Sequence, residues 1–259
     1  MIWRHSKIVC TIGPATSSPR MIRKLFEAGM DVARLNFSHG THEVHAQTIA
    51  MLREASGALQ KPLGILADLQ GPKIRTGVLA GGGTVLLRTG QKFVITTAKV
   101  LGDSTRVSTT FHPLPKEVKA GDRVLLSDGL IELRVEKTTN REVICQVENG
   151  GVLGEHKGIN LPGVKLHVPA LTQKDRVDLR FALKQGVNYI GVSFVRRAED
   201  VALANELVRR AGATTPVIAK LEKPEAIENL DEILQVSEGV MVARGDLGVE
   251  MSPERVPVV

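Results

Sequence analysis

The chain of 259 residues is poor in aromatic side chains and in long apolar runs. One Trp, one Tyr and six Phe amount to 3% of the sequence, whereas proteins that bind single-stranded nucleic acid stack bases on such rings. We therefore expect no nucleic-acid partner. No apolar run reaches the roughly 18 residues of a membrane-spanning helix, and the apolar stretch behind the basic N-terminus is too short for a signal peptide. We expect no membrane partner, and the single tryptophan, Trp3, is predicted to be a terminal packing residue.

Cysteine is scarce as well. Cys10 and Cys145 are the two cysteines of the chain, and alone they cannot build a disulfide framework or a zinc site. These absences together predict a cytoplasmic protein. Hydrophobic residues make up 42% and charged residues 24% of the chain, which is the balance of a globular protein with a sizeable core.

The net charge of +6 is unevenly distributed along the chain. Between Pro72 and Lys165 there are 14 basic and 9 acidic residues, an excess of +5, so that the remainder of the chain carries +1. A basic central segment beside a nearly neutral body favours a small anionic ligand at least as strongly as a polyanion.

Short apolar, β-branched runs alternate with amphipathic stretches of helical length. The spacing of neighbouring runs is that of βα units, and strands that alternate with helices predict a parallel sheet. The predicted strands are Ile8–Ile12, Val32–Phe37, Leu63–Leu69, Tyr189–Val195, Val217–Leu221 and Val240–Ala243. The predicted helices are Pro19–Ala28, His42–Leu59, Gln173–Gln185, Ala198–Ala211 and Pro224–Val236.

The segment from Pro72 to Lys165 breaks this rhythm. It contains runs of period two, separated by turn pairs such as Asp128-Gly129. The pattern predicts a small antiparallel β domain inserted into an α/β domain, with domain boundaries at residues 1–71, 72–165 and 166–259. The period-two runs are Lys92–Thr97, Arg123–Leu126, Ile131–Glu136 and Glu142–Val147.

Polar side chains follow the end of each predicted parallel strand. In a parallel barrel these ends lie on one face, which is where barrel active sites are found. Side chains two residues apart point to the same side of a strand, so Arg34, Asn36 and Ser38 lie on one side of their strand, and Lys220 and Glu222 lie on one side of theirs. Each set is predicted to project toward the mouth of the barrel. A structural ion pair near the strand end is the alternative interpretation of the last two residues.

The residue types at these ends indicate a chemistry. Arg34 and Lys220 are cations suited to phosphate oxygens. The carboxylates of Glu222 and Asp246 suit Mg²⁺, which keeps waters and takes further ligands from substrate, and Gly245 lets the backbone approach a ligand closely. Cations beside a carboxylate-bound metal are typical of phosphoryl transfer. The residues alone therefore predict a metal-dependent enzyme that acts on a small phosphorylated acid.

Six ordered motifs, which span essentially the whole chain, resemble the pyruvate kinase family. The resemblance implies a partial TIM (β/α)8 barrel of about six βα units, with an inserted antiparallel β-barrel lid domain. The motifs are Lys7–Thr16, Ala33–Gly40, Asp68–Gly77, Lys157–Gly163, Ala219–Glu222 and Met241–Glu250.

The resemblance also implies an activity and roles for its residues. Family members interconvert phosphoenolpyruvate and ADP with pyruvate and ATP in glycolysis. By position, Lys220 neutralises the transferred phosphoryl group and Arg34 contacts phosphate. Glu222 and Asp246 hold Mg²⁺ (or Mn²⁺), and the amides of Gly245 and Asp246 contact the substrate carboxylate. Asn36, His39 and Arg75 are the implied nucleotide-binding residues.

A monovalent-cation site is implied in the same way. Many family members need K⁺ and carry threonine after the strand-end aspartate and glutamate four residues later, whereas this chain has Leu69 and Lys73. The ammonium of Lys73 replaces the charge of K⁺ in this interpretation, so we expect any activity to be independent of added K⁺. The residues that map to the site are Asn36, Ser38, Asp68 and Leu69.

Relative to the family, the chain stops before strands seven and eight and before a further α/β domain that carries the main contacts of the family homotetramer. We therefore expect an incomplete form of the enzyme that is inactive by itself. Two alternatives stay open. One is a non-catalytic remnant that serves as an interaction module. The other is a phosphoenolpyruvate-handling aldolase or lyase barrel, against which the inserted domain argues.

Overall fold

The computed structural model describes residues 5–259, so the prediction for Trp3 lies outside the described residues. The chain forms two compact units. The first unit comprises Met1–Pro72 and Pro169–Val242, and the second comprises Lys73–Val168 and Ala243–Val259. Residues 243–259 thus group with the inserted segment, whereas the sequence pattern assigned them to the barrel. The predicted boundaries stay predictions.

The elements are numbered here in chain order. The strands are β1 (Ile8–Ile12), β2 (Met30–Asn36), β3 (Gly64–Asp68), β4 (Thr84–Leu87), β5 (Lys92–Thr96), β6 (Arg106–Ser108), β7 (Arg123–Leu126), β8 (Ile131–Thr138), β9 (Glu142–Asn149), β10 (Gly151–Gly154), β11 (Ile159–Asn160), β12 (Tyr189–Val192), β13 (Val217–Leu221) and β14 (Gly239–Val242). The helices are α1 (Pro19–Glu27), α2 (His42–Ala58), α3 (Leu114–Glu117), α4 (Gln173–Lys184), α5 (Ala198–Arg210), α6 (Pro224–Glu228), α7 (Leu230–Val236) and α8 (Arg244–Glu250), followed by a 3₁₀ helix over Pro253–Val258.

The first unit contains a six-stranded sheet in the order β1-β2-β3-β12-β13-β14. All five pairings are parallel. Each strand lies beside the strand that precedes it in this unit, without the reversal of order that marks a doubly wound sheet. Such an order is that of a (β/α) barrel. The prediction of an α/β fold with six parallel strands and a partial barrel is therefore confirmed.

Helix ends follow the local sequence. Ser18 caps α1 by accepting a hydrogen bond from the Met21 amide at 3.3 Å, with Pro19 at the first helical position. Thr172 and Asp175 form a capping box at the start of α4. The buried faces of these helices pack on the sheet, where Phe26 and Leu179 belong to one apolar core.

One predicted helix is divided into two in the structure. The sequence pattern predicted a single helix over Pro224–Val236, but the chain breaks at Asn229 between α6 and α7. The Asn229 side-chain amide donates to the backbone carbonyls of Arg196 and Glu225, both at 2.9 Å. Asparagine side chains compete in this way with the helical backbone, so the break follows from a contact with the loop before α5.

The second unit contains a six-stranded sheet in the order β11-β7-β8-β9-β5-β6 and a separate ribbon of β10 and β4. The four predicted period-two runs are confirmed as β5, β7, β8 and β9. The predicted turn at Asp128-Gly129 joins β7 to β8, with positive φ at Ser127, Asp128 and Gly129. The β5–β6 pair is parallel, which the prediction of an antiparallel domain did not include.

A short segment before β4 contacts both outer strands of this sheet. The Ile74 carbonyl accepts from the Ile159 amide at 2.9 Å beside β11, and the Gly77 amide donates to the Ser108 carbonyl at 2.8 Å beside β6. The sheet core is apolar and includes Phe93, which is fully buried. Within residues 5–259, no helix is long and apolar enough to cross a membrane.

Replacing Leu52 with alanine should destabilise the first unit. Leu52 lies in α2 and is fully buried in the core, so Leu52→Ala should lower the free energy of unfolding by about 2–5 kcal/mol. Leu234→Ala is the matched control, because Leu234 lies in α7 and is 48% exposed, and its effect should stay within about 0.5 kcal/mol. Urea unfolding followed by circular dichroism measures both, and equal effects would contradict the packing described here.

Candidate functional site

Four charged side chains meet at the carboxyl end of the parallel sheet in the first unit. Arg34 Nε lies 2.7 Å from Asp68 Oδ2, and Arg34 Nη2 contacts the same oxygen. Lys220 Nζ lies 3.1 Å from Asp68 Oδ1 and 2.6 Å from Glu222 Oε1. The structure therefore brings together Arg34, Asp68, Lys220 and Glu222, called the charged cluster below. The roles predicted for them stay predictions.

The charged cluster is buried and formally neutral. Asp68 and Glu222 are 1% exposed and Lys220 is 6% exposed, while Arg34 is partly exposed at the edge of the cluster. Burial by itself lowers the pKa of Lys220, but the negative charges of Glu222 and Asp68 outweigh it and raise the pKa above its ordinary value. Lys220 is therefore an ammonium ion at neutral pH, and two cations balance two carboxylates.

Two residues after β12 complete the charged cluster, and the sequence assigned neither of them a role. Ser193 Oγ accepts from Lys220 Nζ at 2.8 Å and donates to the Leu69 carbonyl at 2.7 Å. The Phe194 amide donates to Glu222 Oε2 at 3.0 Å. The signal in the sequence was the polar stretch at the end of the fourth predicted strand, but nothing in it names Lys220 as the partner of Ser193.

A glycine lets the neighbouring loop approach these residues. Gly71 has a φ of +69°, and a Cβ atom at this position would lie 2.8 Å from Phe194 Cδ2 and 3.0 Å from Ser193 Cβ. Its amide donates to Asp175 Oδ1 at 3.0 Å, at the start of α4. A side chain at position 71 would therefore displace the loop that carries Ser193 and Phe194.

The loop after β2 carries three predicted ligand-binding residues. Asn36 Oδ1 accepts from the Ser38 amide at 3.0 Å, and the Asn36 carbonyl accepts from the His39 amide at 3.3 Å. Lys174 of α4 donates to the Phe37 carbonyl at 2.7 Å. The loop is thus fixed by its own turn and by α4, and the predicted roles of Asn36, Ser38 and His39 stay predictions.

His45 of α2 fixes the same loop from another side. Its Nε2 lies 2.9 Å from the His39 carbonyl, and its ring stacks on Phe37 with centroids 4.2 Å apart. Burial lowers the pKa of His45 below the ordinary value of 6.5, so the ring is neutral at pH 7. Because a carbonyl only accepts, the neutral ring carries its proton on Nε2.

The remaining predicted site residues belong to the second unit. Lys73 Nζ lies 4.0 Å from Asp128 Oδ1 and 4.0 Å from Asp246 Oδ1. Arg75 Nη1 donates to the His156 carbonyl at 3.0 Å. Gly245 and Asp246 lie in the first turn of α8. All these contacts lie within the second unit. The ligand contacts predicted for these residues stay predictions.

The side-chain donors of the chain suit a hard divalent metal such as Mg²⁺. Among residues 5–259, no three or more His, Cys, Asp or Glu side chains are grouped to hold a metal ion. Mg²⁺ does not require such a group, because it binds through one or two carboxylates and takes its other oxygens from water and substrate phosphates. The predicted pair, Glu222 and Asp246, supplies hard carboxylate oxygens and fits Mg²⁺ or Mn²⁺ in donor type.

Lowering the pH should destabilise the protein through His45. Because its pKa is lowered in the folded protein, the unfolded chain binds the proton more readily, and stability falls as the pH drops through 6.5 towards the lowered pKa. Urea unfolding between about pH 5 and pH 8 measures this. His45→Gln should lose this part of the pH dependence, and His112→Gln, at an exposed histidine, should keep it. Identical profiles for wild type and His45→Gln would contradict the assignment.

Comparison with known proteins gives the family. The model of the pyruvate kinase barrel domain matches residues 3–259. A pyruvate kinase of Mycobacterium tuberculosis is 50% identical over 256 residues, which cover 99% of this chain and 54% of that protein. Pyruvate kinases of Geobacillus stearothermophilus and Thermococcus litoralis are each 47% identical and are covered to 44% and 53%. The chain spans about half the length of these curated relatives. By its sequence over nearly its whole length, this chain belongs to the pyruvate kinase family.

Proposed function

We propose that the chain carries the phosphoryl-transfer site of a pyruvate kinase, which passes a phosphoryl group between phosphoenolpyruvate and ADP. The observation that carries this proposal is the position of Lys220, which is a buried ammonium between Asp68 and Glu222 at the end of the parallel sheet. Fixed cations in a site closed to water stabilise the charge of a transferring phosphoryl group. The relatives that are 50% and 47% identical to this chain are named pyruvate kinases.

In the proposed reaction the bond between phosphorus and the enol oxygen breaks, and a bond to a terminal phosphate oxygen of ADP forms. The enolate left behind takes up a proton and becomes pyruvate. Lys220 contacts the transferred group, and Arg34, which is partly exposed, contacts the phosphate from the edge of the charged cluster. Both cations are paired with Asp68, so they stay in place before the substrate arrives.

The hydrogen bonds of Lys220 constrain how the substrate binds. An ammonium has three N–H donors, and Lys220 directs them to Asp68, Glu222 and Ser193. A phosphoryl oxygen that contacts Lys220 must therefore replace one of these acceptors. The site binds its anion by exchange of partners rather than through an excess of positive charge.

Glu222 and Asp246 are the proposed ligands of Mg²⁺ or Mn²⁺. When bound, the metal supplies positive charge to the phosphate and enolate oxygens. The amides of Gly245 and Asp246 open α8, and we infer that they hold the substrate carboxylate, since amides at the start of a helix favour anions.

The nucleotide is assigned to Asn36, His39 and Arg75. The inserted segment, residues 72–165, is proposed to be a β-barrel lid that closes over the site and excludes water. The cytoplasmic location, the tetrameric assembly of the whole enzyme and the absence of nucleic-acid and membrane partners stay predictions.

A coupled assay with phosphoenolpyruvate, ADP and Mg²⁺ tests the proposed function. In a full-length relative or in this chain extended to that length, replacing the lysine that corresponds to Lys220 with alanine should lower turnover by about 10²- to 10³-fold, because it removes a fixed charge from the transition state. Lys184→Ala is the matched control, since Lys184 is exposed at the end of α4, and its turnover should equal that of the wild type. Circular dichroism below the unfolding transition shows that each variant is folded.

Two results of this assay would contradict the proposal. Unchanged turnover in Lys220→Ala would remove Lys220 from its assigned role. No turnover from a folded wild-type chain, together with no turnover from the chain extended to the full length of its relatives, would favour the non-catalytic interaction module.

Monovalent cations give a separate prediction. Because Leu69 and Lys73 occupy the positions at which K⁺-dependent family members carry threonine and glutamate, rates in KCl, NaCl and choline chloride should agree at equal ionic strength. The double variant Leu69→Thr/Lys73→Glu should require KCl. The measurement uses this chain or a full-length relative with the same two residues, and strong activation of the unmodified protein by KCl would reject the prediction.

A further inference from the structure

The Ser193 hydroxyl lies between the Lys220 ammonium and two acceptors, the Leu69 carbonyl and the Asp68 carboxylate. A lysine ammonium only donates and a backbone carbonyl only accepts, so Ser193 Oγ accepts from Lys220 at 2.8 Å and donates to the Leu69 carbonyl at 2.7 Å. Ser193 is 3% exposed. Asp68 Oδ1 lies 3.5 Å from Ser193 Oγ and is a second, more distant acceptor for the hydroxyl proton. With either acceptor a lone pair of Oγ faces Lys220, because a buried hydroxyl without hydrogen bonds would be costly.

The Leu69 carbonyl that holds this hydroxyl is itself fixed. The Leu69 amide donates to the Gly191 carbonyl of β12 at 2.9 Å. Leu69 directly follows Asp68, which pairs with Lys220 from the end of β3. Ser193 therefore links the ammonium to the backbone of β3 and β12 together, at the point where Asp68 leaves the sheet.

The backbone amide of Phe194 fixes Glu222 by a hydrogen bond, as the hydroxyl of Ser193 fixes Lys220. The φ of Phe194 is +56°, a left-handed conformation that costs a residue other than glycine about 1 kcal/mol or more. In this conformation its amide donates to Glu222 Oε2 at 3.0 Å, while Glu222 Oε1 faces Lys220 at 2.6 Å. The Phe194 ring lies beside Gly71, where a Cβ atom would come within 2.8 Å of Phe194 Cδ2.

We propose that Ser193 is a positioning residue of the phosphoryl-transfer site: its hydroxyl, with the Phe194 amide beside it, holds the Lys220 ammonium and the Glu222 carboxylate in the arrangement that receives the phosphoryl group. The part of this proposal that concerns the phosphoryl group rests on the proposed function. The part that concerns the position of the Lys220 ammonium does not. If Ser193 only joined β12 to β3, its loss would lower stability and leave Lys220 unchanged.

Proton exchange of the Lys220 ammonium distinguishes these cases. The full chain, labelled with ¹⁵N in its lysine side chains, gives slowly exchanging ammonium signals in NMR spectra where the ammonium is buried and hydrogen bonded, and the signal absent from Lys220→Arg assigns Lys220. Ser193→Ala should speed exchange of this signal about tenfold, which corresponds to one lost hydrogen bond. Ser193→Thr, which keeps a hydroxyl, should restore slow exchange.

Ser237→Ala is the matched control, because Ser237 Oγ donates to the Ile233 carbonyl at 2.6 Å in the same unit. It should lose one hydroxyl–carbonyl bond without changing the Lys220 signal. If Ser193→Ala fails to fold, Ser193→Thr is compared with Ser193→Val instead, because threonine and valine have the same shape and only threonine has a hydroxyl. Slow exchange in Ser193→Val would then overturn the proposal.

Kinetics separate this proposal from the proposed function. In a chain that turns over, Ser193→Ala should lower kcat while KM for ADP changes little, because the nucleotide is assigned elsewhere. Unchanged ammonium exchange in folded Ser193→Ala overturns the positioning role whatever the activity. Fast exchange in Ser193→Ala, with no turnover in the wild type or its full-length extension, supports the positioning of Lys220 and rejects phosphoryl transfer.

Discussion

The burial of one lysine between two carboxylates is the constraint on which the described site depends. An unpaired ammonium in an apolar strand is expensive, so Lys220 of β13 requires Asp68 at the end of β3 and Glu222 after its own strand. Strand β12 lies between β3 and β13, and its Gly191 faces Asp68, where a Cβ atom would lie 3.3 Å from Asp68 Oδ1. The ion pair therefore reaches across an intervening strand that carries no side chain at that point.

Because of this constraint, the apolar and the charged residues of the first unit lie in different regions. The helices and the apolar faces of the strands form the core, whereas the strand ends and the loops behind them hold charge. Glycine at position 71 and the left-handed Phe194 shape those loops. Charges that balance before any ligand binds also explain how two carboxylates and a lysine stay buried at neutral pH, and why the arrival of an anion requires an exchange of partners.

Much of the fold could be predicted because its signals are local. Apolar runs of strand length, amphipathic runs of helix length and the Asp128-Gly129 turn depend on residues close in sequence, and the corresponding elements were confirmed. The break at Asn229 was missed, since it depends on the carbonyl of Arg196, 33 residues away. The parallel pairing of β5 with β6 was missed for another reason, because a strand of three residues is too short to show a period of its own.

The sequence by itself determined which residue types stand at the strand ends, and that Lys220 and Glu222 lie on the same side of their strand, where an ion pair between them was one interpretation. Only the tertiary structure added Asp68 and Ser193 as partners of Lys220. Ser193 meets Leu69 and Lys220 across separations of 124 and 27 residues, and the left-handed Phe194 lies beside Gly71, more than 120 residues away in the sequence. A periodic pattern specifies the side of a strand on which a residue lies, whereas a hydrogen bond between distant segments depends on how the strands are placed beside one another.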